Sequence, residues 1–341
     1  PLLHPLLGAV QLATTWITPE AWSLYDGEVP ATTSQEQYRS RLVQALEDAK
    51  DDGKPIFMTW GWQQSDHGPM TRSILDELAP DRPVMILQRS VHESIFNTAA
   101  LDFLELQEED AVDFSETEVN WKDGHFIEAG MFDLVLPKLA GYLLSPAVID
   151  PGFERNNDYL HSGGITTAAD LATGQVSWNL ELGAVQRNLI DKDVPFRTVI
   201  IPTAYHMSLA QGGLDASFEF IDTYLATDPP APQLVHGKRI KLFADGAMFS
   251  QLMQLREPGY IDGHDGEWIT PLDEFEALAH KYWNEGYRIH VHANGDRGIE
   301  FTLDVFEKLQ AETPRQAGAL VFEHYGYSDD ILNRRVADFG A

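Results

Sequence analysis

The order of apolar and polar positions divides the chain into a mixed first half and a regular second half. Residues 1–15 are apolar and carry one histidine, His4. In the mixed region that follows, residues 35–49 read as a helix, and residues 55–60 and 83–88 are apolar runs of strand length. The acidic stretch 105–118 reads as a solvated loop or helix face. From about residue 157 the pattern becomes periodic. Strands are expected at 164–171, 195–203, 239–244, 287–293 and 319–324, with helices such as 271–285 and 297–311 between them. Strands alternating with helices of about 10–15 residues imply βαβ units and a parallel sheet.

Successive side chains on a strand point to opposite faces. In 288–292, Ile289 and Val291 point one way and Arg288, His290 and His292 the other. In 240–243, Ile240 and Leu242 share one face, Lys241 and Phe243 the opposite one. In the last strand Leu320, Phe322 and His324 line up, a phase that turns His292 and His324 both inward. One face is apolar, suited to outer helices. The other gathers a lysine and histidines near strand C-terminal ends, where barrel enzymes place their chemistry. A nucleotide-binding open sheet would carry G-x-G-x-x-G after its first strand, and no such motif is present.

The chain has 341 residues, enough for one large α/β barrel or two or three ordinary domains. Its 53 acidic and 24 basic residues give a net charge of −29. That balance argues against nucleic acid and against anionic membrane surfaces, which need a basic footprint. It is the composition of a soluble surface. With no cysteine, disulfides, thiolate zinc sites and cysteine nucleophiles are excluded. Any metal must be held by His, Asp, Glu or a modified Lys. No run of about 18 apolar residues occurs. The sequence from Pro1 on shows no n-region or apolar h-region of a signal peptide, so a cytoplasmic location is expected, with export left open because Pro1 is not a natural start.

His292 and His324 end neighbouring strands one βα unit apart, and neutral imidazole is a common ligand for zinc-like ions. His290 lies one layer deeper and reads as a supporting residue. Lys241 is the unusual one. A lysine among Ile240, Leu242 and Phe243 would be buried, which depresses its pKa. It either pairs with a carboxylate such as Asp245 or Glu323, or reacts as a neutral amine with carbon dioxide to give a carbamate. Spacing does not choose between these.

At these residues the chain resembles the metal-dependent amidohydrolase superfamily, in the family 3 branch that includes N-substituted formamide deformylases. Lys241–Gly246 resembles the K-x-x-x-D-G strand, His292–Arg297 the H-A-x-G-D-R strand end, and Phe322–His324 the x-E-H strand. Upstream, Arg89–His92, Asn97–Leu101 and Gly124–Glu128 resemble R-x-x-H, N-S-x-A-L and G-x-x-x-E, and Gly164–Thr167 matches G-I-T-T. The matches run in order from about residue 55 to the end.

The resemblance implies a TIM-type (β/α)8 barrel with an insertion after its first strand. Residues 1–15 would hold the first barrel strand, 16–155 an insertion covering the barrel mouth, and 156–341 strands two to six. The last two strands, the aspartate that serves as general base and the terminal β-sandwich lie outside this chain, so the barrel is expected to be incomplete. The implied ligands are His4, Lys241, His292 and His324 for a divalent metal, zinc first, as one or two ions, with a carbamate on Lys241 able to bridge two. His292, His324 and Asp245 are the expected catalytic residues; Arg89, His92 and Glu128 from the insertion are expected to contact substrate.

Two departures from the family pattern stand out. The family opens with H-x-H; His4 matches the second histidine, and Leu2 stands where the first belongs. Asp245 and Asp296 are substitutes for the absent aspartate, but one sits in an Asp-Gly turn and the other opens a helix, positions an Asp takes without catalysis.

The leading expectation is an enzyme that hydrolyses a C–N bond in a small amide, formamide or cyclic amide through a metal-activated water. Trp60, Trp62, Phe96 and Phe126 could wall an apolar pocket or be plain core. The alternatives are the same metal barrel running an isomerase, lyase or esterase reaction, or an inactive relative that binds ligand. A small molecule is the expected partner, and a homodimer is the assembly the sequence leaves open.

Overall fold

The computed structural model describes residues 4–341, which form two compact units: the chain up to Thr166 with Leu180–Val194, and Thr167–Asn179 with Pro195–Ala341. No single helix among the described residues is long and apolar enough to cross a membrane.

In the first unit, β1 (Thr15–Trp16), β4 (Phe57–Trp62) and β5 (Val84–Gln88) pair in parallel. The sheet continues antiparallel through β6 (Glu93–Phe96) and β8 (His125–Ile127) to β7 (Val119–Asn120). A small hairpin, β2 (Trp22–Leu24) with β3 (Gly27–Val29), stands apart. Every residue of β4 and β5 is buried, as their largely apolar runs predict. Helix Gln35–Asp48 starts at Ser34, whose side chain accepts from Gln37 N. Tyr38, Leu42 and Leu46, spaced four apart, put one stripe of that helix into a core with Phe57, Val84 and Ile86.

The first segment departs from expectation. Pro5–Leu12 is a helix, not a barrel strand, and residues 1–3, including Leu2, lie outside the described residues. Proline at the first helical position needs no N–H partner there and already holds a helical φ. The helix packs on Pro146–Ser162, where Gly152 permits close approach: a Cβ on it would lie 2.0 Å from the Ala9 carbonyl oxygen.

In the second unit all strand pairs are parallel. β9 (Thr167–Thr173) pairs with β10 (Arg197–Pro202), which pairs with β11 (Leu234–Val235). β12 (Arg239–Phe243), β13 (Arg288–Ala293) and β14 (Leu320–His324) follow in order. A parallel bridge from Thr203 to Lys241 joins the two sets. Ile240, Leu242, Ile289, Val291 and Leu320 are wholly buried, so the apolar face is as the alternation places it. Helix Leu272–Asn284 buries Phe275, Leu278, Ala279, Tyr282 and Trp283, an i, i+3, i+4, i+7, i+8 stripe. Asp273 and Glu274 in its first turn and Lys281 in its last complement the helix dipole. The second unit is thus an α/β arrangement of parallel strands.

Candidate metal centre

Parallel register fixes which side chains share a face. Lys241 is level with His290, Phe243 with His292, and His292 with Glu323. Lys241, Phe243, His290, His292 and Glu323 therefore project to one side. Strict alternation puts His324 on the other side, which corrects the phase read from sequence. The backbone breaks there instead. His324 and Tyr325 both take left-handed φ, 73° and 52°, and the His324 ring comes to 4.6 Å from that of His292, edge to face. Left-handed conformation in non-glycine residues costs on the order of 1–3 kcal/mol each and persists where the surroundings impose it.

Lys241 is 3% exposed. Burial pushes its amine down to about 8, partly countered by the Glu323 charge. Its Nζ lies 5.2 Å from the centre of the Phe243 ring, and that ring is 5.4 Å from His292. Burial alone would raise the Glu323 carboxyl. Its hydrogen bond with His290 and the Lys241 charge outweigh burial and hold it below the usual range. His290 Nδ1 is 2.8 Å from Glu323 Oε1, while its Nε2 is buried without a hydrogen-bond partner. Of the two carboxylates considered for Lys241, Glu323 is the one that acts on its amine, through charge.

Asp245 is fully buried and holds a loop. Oδ1 accepts from Asn294 N at 2.8 Å; Oδ2 accepts from Gly295 N at 2.8 Å and Gln254 N at 2.9 Å. A carboxylate taking three backbone N–H groups is poorly suited to accept a proton, because those bonds favour its charged form. Asp245 thereby ties the loop at Asn294 and Gly295 to Gln254. Asn294, fixed in this way, donates from Nδ2 to His292 Nε2 at 2.9 Å and to the Gly246 carbonyl at 3.0 Å. Asp296 opens helix Asp296–Glu312 and accepts from Arg256 N and Nε and from Arg297 N, as a helix-start residue should.

The remaining expected residues lie in the first unit. His4 is half-buried, extended, and precedes helix Pro5–Leu12. His92 Nδ1 is 2.7 Å from Glu128 Oε2, so these two meet, with Glu128 and neighbouring Val91 both left-handed at φ 45° and 66°. Arg89 is ion-paired with Glu20. Trp60, Trp62, Phe96 and Phe126 are 3%, 2%, 0% and 0% exposed, which makes them core and removes the apolar wall.

His206 was missed by sequence reasoning. It lies in helix Ala204–Gln211, three residues past the end of β10's last bridged position, Thr203. Burial pushes its imidazole down to about 4, and its ring is 6.1 Å from that of Phe243. The usable signal was a histidine just after a strand end on the catalytic side of a parallel sheet.

Among the described residues, no group of three or more His, Asp or Glu side chains is placed to hold an ion. The donors that do fit one are nitrogen: the adjacent His292 and His324 imidazoles, with Lys241 buried on the same strand set and its amine already easier to deprotonate than an exposed lysine.

The parallel sheet thus carries two adjacent imidazoles, at the ends of β13 and β14, and a buried lysine within β12. The chain belongs to the amidohydrolase family, in its family 3 branch: the family's model matches residues 18–341. It is similar to an N-substituted formamide deformylase from Arthrobacter pascens, 26% identical over 285 residues. That match takes in 79% of this chain and 49% of the relative. Among solved structures it is similar to an uncharacterized metal-dependent hydrolase from Pyrococcus horikoshii OT3 (TM-score 0.62, 18% identity) and to one from Pyrococcus furiosus (TM-score 0.60, 20% identity). Each alignment takes in 98% of this chain, and 59% and 61% of the respective structure. The chain thus spans about half to three-fifths of the length of these relatives, and the likeness in structure is one of fold.

Proposed function

We propose that this chain carries the metal-binding part of a (β/α) barrel hydrolase that cleaves the C–N bond of a small amide or formamide. The observation that carries the reading is the pairing of His292 and His324 at 4.6 Å beside buried Lys241. The six parallel strands of the second unit support the barrel, with residues 16–155 proposed as its insertion, and the likeness to a formamide deformylase supports the bond class.

Lys241, His292 and His324 would hold a divalent ion, zinc first. When bound, that ion supplies an acidified water and polarises the substrate carbonyl. The protein's own groups prepare for it. Asn294 Nδ2 lies 2.9 Å from His292 Nε2 and holds the ring in place. Asp245 fixes Asn294. Glu323 fixes His290 and offsets the Lys241 charge. The depressed Lys241 amine is suited to add carbon dioxide, releasing one proton and becoming a carbamate able to bridge two ions.

Turnover of a panel of N-formyl and N-acyl amines by the zinc-loaded protein, followed by amine release, tests the reading. Hydrolysis that disappears in Lys241→Ala is expected. Zinc-loaded protein that hydrolyses no amide but converts an ester or isomerises a substrate would overturn the bond class.

A further inference from the structure

One guanidinium joins the three loops that follow β12, β13 and β14. Arg256 lies in the loop after β12. Its backbone N–H donates to Asp296 Oδ1 at 2.9 Å, and its Nε donates to Asp296 Oδ2 at 3.0 Å. Its Nη2 donates to Asp329 Oδ2, and its Nη1 lies 3.6 Å from Glu300 Oε1. Asp296 opens the helix that follows β13. Asp329 caps the helix that follows β14, its Oδ1 accepting from Ile331 N and Leu332 N at 2.8 Å each. The segments leading away from His292 and His324 therefore both end on carboxylates held by the same side chain. A planar guanidinium suits this task, because its fixed fork of donors serves several carboxylates at once.

The arrangement bears on the strained turn at the second histidine. Left-handed φ at His324 and Tyr325 persists only where neighbours impose it. Tyr325 N donates to the Ala293 carbonyl at 3.1 Å and Tyr327 N to the Asn294 carbonyl at 2.7 Å, which ties the turn to the segment after His292. That segment is held in turn by the β12 loop. The Gln254 carbonyl accepts from Arg297 N at 3.1 Å, and a Cβ on Gly295 would lie 2.1 Å from the same oxygen. Arg256 closes this frame at its far end. A second arginine offers a comparison. Arg335, in helix Asp330–Phe339, donates from Nε to Glu307 Oε1 at 3.0 Å and from Nη2 to Asp304 Oδ1 at 2.6 Å, both in helix Asp296–Glu312. It fastens helix to helix, whereas Arg256 fastens loop to loop.

We propose that Arg256 is the positioning residue of the histidine pair: by joining Asp296 to Asp329 it holds the segments that carry His292 and His324 at the spacing that brings their rings together. The consequence for zinc rests on the metal-site reading; the consequence for ring spacing does not.

The test measures zinc binding by calorimetry, and the His292–His324 ring separation in crystals of the metal-free protein, across wild type, Arg256→Met, Arg256→Lys and Arg335→Met. Arg256→Met is expected to weaken zinc binding about 10–100-fold, the usual effect of losing an outer partner of a metal site. Its ring separation should widen beyond 4.6 Å. Arg256→Lys keeps the charge but replaces the fork by one ammonium, and is expected to recover only part of the affinity. Arg335→Met is expected to lower the melting temperature while leaving zinc affinity and ring spacing as they are in the wild type. Should Arg256→Met fail to fold, the same two readings on Arg256→Lys decide. Unchanged ring spacing in the folded Arg256 variant, or an equal loss of zinc affinity in Arg335→Met, overturns the proposal. A wild type that takes up no zinc overturns the metal-site reading instead, and the ring spacing in the Arg256 variant still decides the positioning role.

Discussion

The His324 ring meets the His292 ring at 4.6 Å because the chain turns left-handed at the end of β14, not because the strand's alternation places it there. One residue earlier, Glu323 occupies the level of His292. A regular strand would have carried His324 to the helix side of the sheet. The left-handed pair His324–Tyr325 returns it to the face that holds Lys241.

This separates backbone from side chain at position 324. His324→Gly is expected to be more stable than His324→Ala by about 1 kcal/mol, since glycine accepts φ 73° without a Cβ clash. Both should lose metal alike. Urea unfolding of the two variants reads the difference; an alanine variant as stable as the glycine one would mean that the turn carries no strain.

Asp245 is expected to matter for folding before it matters for chemistry. Asp245→Ala strands three buried backbone N–H groups and should cost about 3 kcal/mol or more. Asp245→Asn, which keeps one acceptor, should cost less. A general base would behave in the opposite way, losing turnover in Asp245→Asn at unchanged unfolding free energy.

Lys241 trades stability for chemistry. Its amine is buried and depressed from 10.5 to about 8, so below pH 8 the metal-free fold holds a charge that burial disfavours. Lys241→Met should raise metal-free stability at pH 7 by about 1–3 kcal/mol and abolish metal uptake. Because the unfolded chain binds the lysine proton more tightly, wild-type stability should rise with pH between about 8 and 10.5, and Lys241→Met should lose that slope. Denaturant melts across this range check both statements.

His206 gives the opposite end of the pH scale. Its folded value of about 4 lies below the ordinary 6.5, so the unfolded chain takes up the proton first. Its contribution to stability is fully present above pH 6.5 and is lost as pH falls toward 4, by at most about 3 kcal/mol. His206→Asn should flatten that part of the profile. An unchanged acid slope would show that other groups set it.

Much of this was legible in the sequence, and the failures have physical causes. The β-branched runs at 197–202, 239–243 and 288–293 could be read because each is buried on a fixed face. Residues 5–12 were misassigned because a short apolar run has the composition of either a buried strand or a buried helix; Pro5 decided for the helix. The His324 phase failed at a backbone break that no periodicity encodes. The three N–H partners of Asp245 escaped the sequence because they come from residues 254, 294 and 295, outside its own turn. His206 escaped notice because it sits on the helix after its strand.

The central claim is that Lys241, His292 and His324 bind one metal centre. Zinc-edge anomalous diffraction from crystals of the zinc-loaded protein tests it most directly. The account predicts an anomalous peak about 2.0–2.1 Å from one nitrogen each of His292 and His324, with the Lys241 side chain or its carbamate completing the contact. A strong peak elsewhere, or none near these three side chains at full zinc loading, would contradict it.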